Sequence, residues 1–247
     1  VVLGNEALPA FSGLGDRNFY ICQFPFPISD EVIQSRRHNL AGYDSLIVYS
    51  GFVRECLVGE VKRLGLPCPP VEVISPAVSG LSITGKALPA SGSVKIISIG
   101  RFFVGGHNKR QDAIIEAAIK LAQRGVKVEL SLVGSVHPEA EHRQRFRELV
   151  AMAEGYPIVF FPDASTETVS ELLGAAHIYC HAAGLDADDE PHRCEHFGIS
   201  VVEGMRAAAV PFVVANGGPS SIVADGGTGY HYRTIDELVD RIASLIA

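Results

Sequence analysis

Short apolar runs rich in Val, Ile and Phe alternate with longer amphipathic stretches from residue 94 to residue 247. Runs of both kinds in strict alternation are the pattern of βαβ units, and βαβ units build a parallel sheet. Strands are expected at VKIISIG (94–100), VKVELSLVG (126–134), PIVFFP (157–162), HIYCHA (177–182) and VPFVVA (210–215). Helices are expected over 109–124, 139–153, 165–175, 198–209, 218–224 and 234–246. This predicts a doubly wound α/β layer, in which ligands bind beyond the carboxyl ends of the strands.

Upstream, the same alternation is thinner. FYICQFPF, closed by Pro25, YDSLIVYS (43–50) and VEVISPAV (71–78) read as strands, with one helix after Ser29 and another over 51–65. These strands are too few for a complete domain with both sheet faces covered, so residues 1–78 are expected to be the second half of a domain whose first half is not in this chain. The first residue is valine, consistent with a piece of a longer polypeptide. Residues 79–93, SGLSITGKALPASGS, are rich in Ser, Gly and Pro and read as a linker to a second domain at 94–247.

The bulk numbers exclude several classes of function. A hydrophobic content of 47% with 20% charged residues belongs to a globular chain. No run approaches the roughly 18 to 20 apolar residues of a membrane span, and VVLGNEALPAF lacks the basic flank of a signal peptide. A cytoplasmic location is expected, with room for peripheral membrane contact by the full-length protein. Net charge is −7, which argues against broad adhesion to nucleic acid, so an anionic ligand must be held by local cations. Five cysteines without a CxxC pair read as reduced, buried thiols.

Three stretches after the strands could carry chemistry. Gly100 and Arg101 end the first strand of the later domain, and GGHN leads into Lys109. A glycine-rich turn with cations at both edges and a helix start facing it can cradle a diphosphate, or it is an ordinary loop with solvated cations. In CEHFGISVVEG, residues 194–204, the N–H groups of Gly198, Ile199 and Ser200 at a helix start favour a negative ligand. Glu195 precedes that start and Glu203 lies eight residues on, about 80° around a helix, so both can border one cleft. Spacing alone leaves two uses open for Glu195, a charge on the helix dipole or an acceptor for ligand hydroxyls.

The segment LDADDEPHRCEH (185–196) holds His192, Cys194 and His196 among five carboxylates, matches no standard zinc spacing, and reads as a solvated acidic loop without a metal. His181, at a strand end, is either a satisfied structural histidine or a general base, and Gly217–Gly218 either a tight turn or a point of close ligand approach.

Taken together, EHFGISVVEGM, IGRFFVGGHNKRQ and VVANGGPSSIVADGGTGY resemble, in order, the E-x7-E motif, the phosphate-binding segment and the closing segment of retaining glycosyltransferase family 4. The resemblance implies a GT-B fold of two Rossmann-like domains, with 94–247 as the nucleotide-sugar donor half and the N-terminal domain incomplete. It implies that Arg101 and Lys109 neutralise the donor diphosphate, that Glu195 contacts sugar hydroxyls at the reacting carbon, and that Glu203 accepts ribose hydroxyls. Gly198, Ile199 and Ser200 would meet the phosphates. No obligatory metal or cofactor is implied; the substrates are a nucleotide-diphosphate sugar and an unidentified acceptor, and transfer proceeds with retention.

The sequence departs from the family in three places. The glycine-rich opening loop is missing, Gln23 stands where many relatives have histidine, and loop 184–194 is longer than usual. A nucleotide-sugar-binding module, an inactive fragment, or a same-fold epimerase or phosphorylase are the alternative readings.

Overall fold

The computed structural model describes the chain apart from residues 5, 27–29, 80–84, 90, 91, 106, 107, 188 and 189, and apart from the side chain of Asp30. Ser29 before the first helix, part of the 79–93 segment, Gly106 and His107 of the glycine-rich turn, and Asp188 and Asp189 of the acidic loop lie outside the described residues. The chain divides into two compact units, Val1–Ala77 and Val78–Ala247.

The first unit holds a four-stranded parallel sheet of β1 (Val2–Gly4), β2 (Phe19–Cys22), β3 (Ser45–Val48) and β4 (Val71–Val73), in the order β1-β2-β3-β4. Helices α1 (Asp30–Arg36) and α2 (Gly51–Arg63) accompany it. Ser50 caps α2 by accepting the Val53 N–H at 3.2 Å, which fixes the helix start immediately after β3. Val53, Leu57 and Val61 repeat at helical spacing and pack with Tyr20, Leu46 and Val48 into one core.

In the second unit β5 (Val94–Ile99), α3 (Gln111–Gln123), β6 (Val128–Gly134), α4 (Ala140–Met152), β7 (Ile158–Pro162), α5 (Thr166–Ala175) and β8 (Ile178–His181) come in turn. After them come α6 (Ile199–Arg206), β9 (Val210–Val214), α7 (Pro219–Ile222), β10 (Tyr230–Tyr232) and α8 (Ile235–Ile246). All six strands are parallel, in the order β10-β9-β8-β5-β6-β7. Numbered from β5, that is the doubly wound Rossmann order, and the chain reverses its direction of winding between β5 and β8.

Consecutive residues at the centre of β5, Ile96 and Ile97, show why the strand is apolar at neighbouring positions. Ile96 joins the core beneath α3 and α8, with Leu130, Leu132 and Leu238, whereas Ile97 joins the opposite core, with Tyr179, Val201 and Val213. A strand with helices on both faces has no side for water.

Two strands were not visible in the sequence. β1 is three residues at the sheet edge, and β10, Tyr-His-Tyr, is three more at the other sheet's edge. Runs this short establish no period, and an edge strand is held by only one neighbour. The run VEVISPAV forms only a three-residue strand, since Pro76 has no N–H for a ladder. The described part of the 79–93 segment packs on the second unit: Leu88 touches its core and Lys86 Nζ donates to the carbonyls of Leu173 and Ala176 at 3.2 and 2.6 Å.

Candidate functional site

The carboxyl ends of β5 and β8 are the two sides of the reversal in winding, and the loops leaving both strands converge there. After β5 the chain runs through Gly100 and Arg101 to Lys109, just ahead of α3. A Cβ on Gly100 would stand 2.8 Å from Lys109 Cγ, so glycine lets the lysine stem cross the strand end toward β8. There Lys109 Nζ meets Glu195 Oε2 at 2.5 Å, and His181, the last residue of β8, places Nε2 3.4 Å from the same oxygen. Glu195 Oε1 accepts the His196 N–H at 3.2 Å.

The loop carrying Glu195 is fixed from behind. Gly218 N–H donates to the Glu195 carbonyl at 2.7 Å, and a Cβ on Gly218 would lie 2.0 Å from the His196 carbonyl oxygen. The two motifs, CEHFG and NGGPSS, are thus built against each other. Gly198 caps α6 in the left-handed conformation, at φ 96°, turning the chain from the Glu195 loop into the helix. Ile199 and Ser200 open α6, where the first N–H groups have no intrahelical acceptor. Ser200 Oγ donates to the Ile99 carbonyl at 3.5 Å, and Ile199 is 53% exposed.

Electrostatics separate the two glutamates. Burial alone would raise the Glu195 carboxyl, but His181 and Lys109 outweigh it and hold the group well below its ordinary 4.5. Glu203, one turn and more along α6, has no ion pair or side-chain hydrogen bond among the described residues, and partial burial raises its carboxyl.

Arg101 stands apart from this cluster. It is exposed, with its guanidinium 5.4 Å from the centre of the Phe103 ring, while Gln111 Nε2 binds its carbonyl at 3.0 Å. Sequence reasoning missed Arg110, which takes φ 50° ahead of α3 and donates to the Leu185 carbonyl at 2.8 Å and Asp186 at 3.1 Å. It ties the β5–α3 loop to the loop after β8; its only sequence signal was its place beside Lys109. In the first unit, Gln23 comes directly after β2 and donates to the Tyr49 hydroxyl at 3.1 Å.

The acidic loop is not solvated throughout. Among its described residues Leu185, Ala187 and Cys194 are at most 2% exposed, whereas Asp186 and Glu190 are exposed and pair with Arg110 and Arg193. Its apolar residues close the core beneath β8, which a count of carboxylates does not reveal. The thiols also divide: Cys22, Cys180 and Cys194 are buried, Cys56 is half-buried and Cys68 exposed, and none of the five is in a disulfide.

One group of metal-ligating types was not foreseen: His137, Glu139 and His142, with ligand atoms within 4.8 Å of one another. His142 Nδ1 accepts the Val104 N–H at 3.1 Å, so a neutral ring carries its proton on Nε2, the nitrogen facing Glu139 and Glu141. A ligand nitrogen needs that lone pair free, and the ring instead braces the backbone of the loop after β5 and stacks on Phe103 at 4.5 Å.

Among the described residues no helix is long and apolar enough to cross a membrane. Residues 82–247, more than half of the chain, match the family described as glycosyl transferases group 1. Comparison with curated proteins gives no match. Among solved structures, a point mutant of TarM from S. aureus with fondaparinux, alpha-GlcNAc-glycerol and UDP is 16% identical, with TM-score 0.61 over 93% of this chain and 44% of that one. A glycosyltransferase from Rickettsia africae is 18% identical, with TM-score 0.66 over 92% of this chain and 60% of that one. Anabaena HepE with UDP and glucose is 18% identical, with TM-score 0.62 over 92% and 62%. The chain therefore spans between 44% and 62% of the length of these structures, and the shared fold is that of GT-B glycosyltransferases.

Proposed function

Because the chain belongs to the group 1 glycosyl transferases, we propose that it moves a sugar from a nucleotide-diphosphate donor to a glycosyl acceptor, with retention as in family 4. One observation carries this reading: a lysine and a glutamate from two separate motifs meet at 2.5 Å at the carboxyl ends of β5 and β8, where a doubly wound sheet binds its ligand. A half-buried cation beside an open helix start is suited to a leaving diphosphate.

In this reading the residues divide the donor between them. Lys109 and Arg101 neutralise the diphosphate, Arg101 by leaving its exposed place on Phe103, and the N–H groups of Gly198, Ile199 and Ser200 receive phosphate oxygens. Glu195, held ionised, accepts hydroxyls of the sugar beside the reacting carbon, where its charge also favours an oxocarbenium-like centre. Glu203, a carboxylate without a protein partner among the described residues, accepts the ribose hydroxyls. The bond from the anomeric carbon to the diphosphate oxygen breaks as the acceptor hydroxyl oxygen bonds to that carbon on the same face, and the hydroxyl proton passes to the departing diphosphate oxygen. No step requires a metal. Residues 1–78 then form the remaining acceptor-side half, 79–93 the linker and 94–247 the donor half.

A nucleotide-sugar-binding module is the second reading, favoured because every residue assigned to the donor lies in the one unit Val78–Ala247. Thermal-shift measurements against nucleoside diphosphates and their sugars test donor binding directly. At a hundredfold excess over Kd, a true donor adds about 2.7 kcal/mol of stability. If none raises the midpoint, the donor assignment fails; binding without donor hydrolysis or transfer favours the module.

A further inference from the structure

His181 is held more firmly than any of the proposed ligand-binding roles requires. Its backbone lies in register with Val213 of β9, and its carbonyl accepts the buried Tyr232 hydroxyl at 2.8 Å. The residue is 4% exposed, so its ring has one environment. In that environment neither ring nitrogen has a hydrogen-bond partner, a costly state for a buried imidazole. Nε2 points at Glu195 Oε2 from 3.4 Å, near enough for attraction but without hydrogen-bond alignment. Oε2 is already taken by Lys109 Nζ at 2.5 Å.

One hydrogen-bonded lysine and one nearby, unbonded imidazole thus face the same carboxylate oxygen, and only the lysine can leave. Lys109 reaches Glu195 along a flexible four-carbon stem, whereas His181 is fixed to the end of β8. A diphosphate arriving beside Lys109 competes with Glu195 for the ammonium group. With only the His196 N–H on Oε1, a mostly buried carboxylate would then be left without any donor at Oε2 or any cation, and it would take up a proton or turn away.

We propose that His181 is the positioning residue for Glu195: as the donor diphosphate draws Lys109 off Oε2, the Nε2–H of His181 closes onto that oxygen and keeps the carboxylate ionised and aimed at the sugar. Both the Nε2–H tautomer and the imidazolium offer the required proton, and no proton is transferred. The inference rests on the donor-binding reading and adds to it the group that stabilises Glu195 once its lysine is occupied.

The test compares His181→Gln, which keeps a donor at a similar reach, with His181→Phe, which keeps ring volume and loses the donor. In the full-length protein, UDP with UDP-glucose and GDP with GDP-mannose serve as probe pairs. For the pair that binds, both variants are expected to hold the nucleoside diphosphate within about twofold of wild type, while turnover falls roughly 10- to 100-fold in His181→Phe and recovers largely in His181→Gln. Equal loss in both variants, or no loss in His181→Phe, overturns the proposal.

A second arm needs no nucleotide. In ¹⁵N spectra of the histidine rings of the donor-free protein, the His181 Nε2 resonance is expected to move in Glu195→Gln, and to move again in Lys109→Met as the imidazole becomes the carboxylate's main partner. An unmoved resonance in both overturns the contact. If wild type binds neither probe pair while the resonance moves as expected, the donor reading fails and the His181–Glu195 coupling stands.

Discussion

Glu195 and Glu203 belong to one motif, eight residues apart, yet their surroundings are opposite. Glu195 lies in a loop locked by Gly218, faces a lysine and a histidine, and is held well below the usual carboxylate range. Glu203 lies within α6, meets no cation among the described residues, and is raised by burial. The contrast teaches that the motif's spacing sets one carboxylate ahead of α6 and one within it, while the neighbours supplied by β5 and β8 decide which is fixed and which has no ion pair among the described residues. A carboxylate already committed to a lysine and a histidine suits a charged role near the reacting carbon. One without such neighbours suits the acceptance of neutral hydroxyls.

The comparison breaks most visibly at Lys109. Lys109→Met leaves Glu195 without its closest cation; loss of one partner of a fully buried pair costs about 3–5 kcal/mol, and since each side chain here keeps about a fifth of its exposure, ~2 kcal/mol is expected. Urea unfolding measures this, and kcat/KM should fall roughly 10²- to 10³-fold with the lost diphosphate contact. A stability equal to wild type would show that the pair does not hold Glu195.

Next in size is Gly218→Ala. The new methyl would meet the His196 carbonyl at 2.0 Å, so the Glu195 loop must shift, at about 1–3 kcal/mol. Its effect is confined to the Glu195 side: nucleoside diphosphate binding through Glu203 should survive better than transfer does. Parallel loss of both would mean that the two glutamates are not separately supported.

Acid titration sharpens the contrast further. The folded-state value of Glu195 is depressed, so its stabilisation is full above its ordinary 4.5 and is lost as pH falls through the lower folded value. Glu195→Gln should therefore flatten the acid limb of the stability profile below about pH 4.5. For Glu203 the sign reverses, because a raised folded value means that ionisation costs stability, a cost absent at low pH and full above the raised value. Glu203→Gln should be slightly more stable than wild type at pH 7 and indistinguishable from it at pH 4, the smallest effect of the series. Paired urea melts at the two pH values check both signs.

Much of this was legible in the sequence, because both sources of the signal are local. The second sheet announces itself because the centre of β5 and most of β9 are buried on both faces and therefore apolar at consecutive positions. Lys109, Glu195 and Gly198 could be nominated because glycine turns and helix starts come after strands at short range. What was hidden depends on distant neighbours. The three-residue β10 carries no period, yet its Tyr232 anchors His181. Arg110 became visible only when the loop after β8 folded against it, and the buried half of the acidic loop only when β8 found its core. The low value of Glu195 is set by His181, 14 residues upstream, and by Lys109, 86 residues upstream, and the raised value of Glu203 by burial, none of which the spacing within the motif encodes.

The division of labour between the glutamates is tested most directly by calorimetric titration of one nucleoside diphosphate and its sugar ester into wild type, Glu195→Ala and Glu203→Ala. Glu203→Ala should weaken both ligands by the same factor, about tenfold for a lost pair of hydrogen bonds to a charged group, because both carry the ribose. Glu195→Ala should spare the diphosphate, or tighten it as Lys109 is released, and weaken only the sugar ester. Equal weakening of both ligands by Glu195→Ala, with Glu203→Ala silent, would contradict the account.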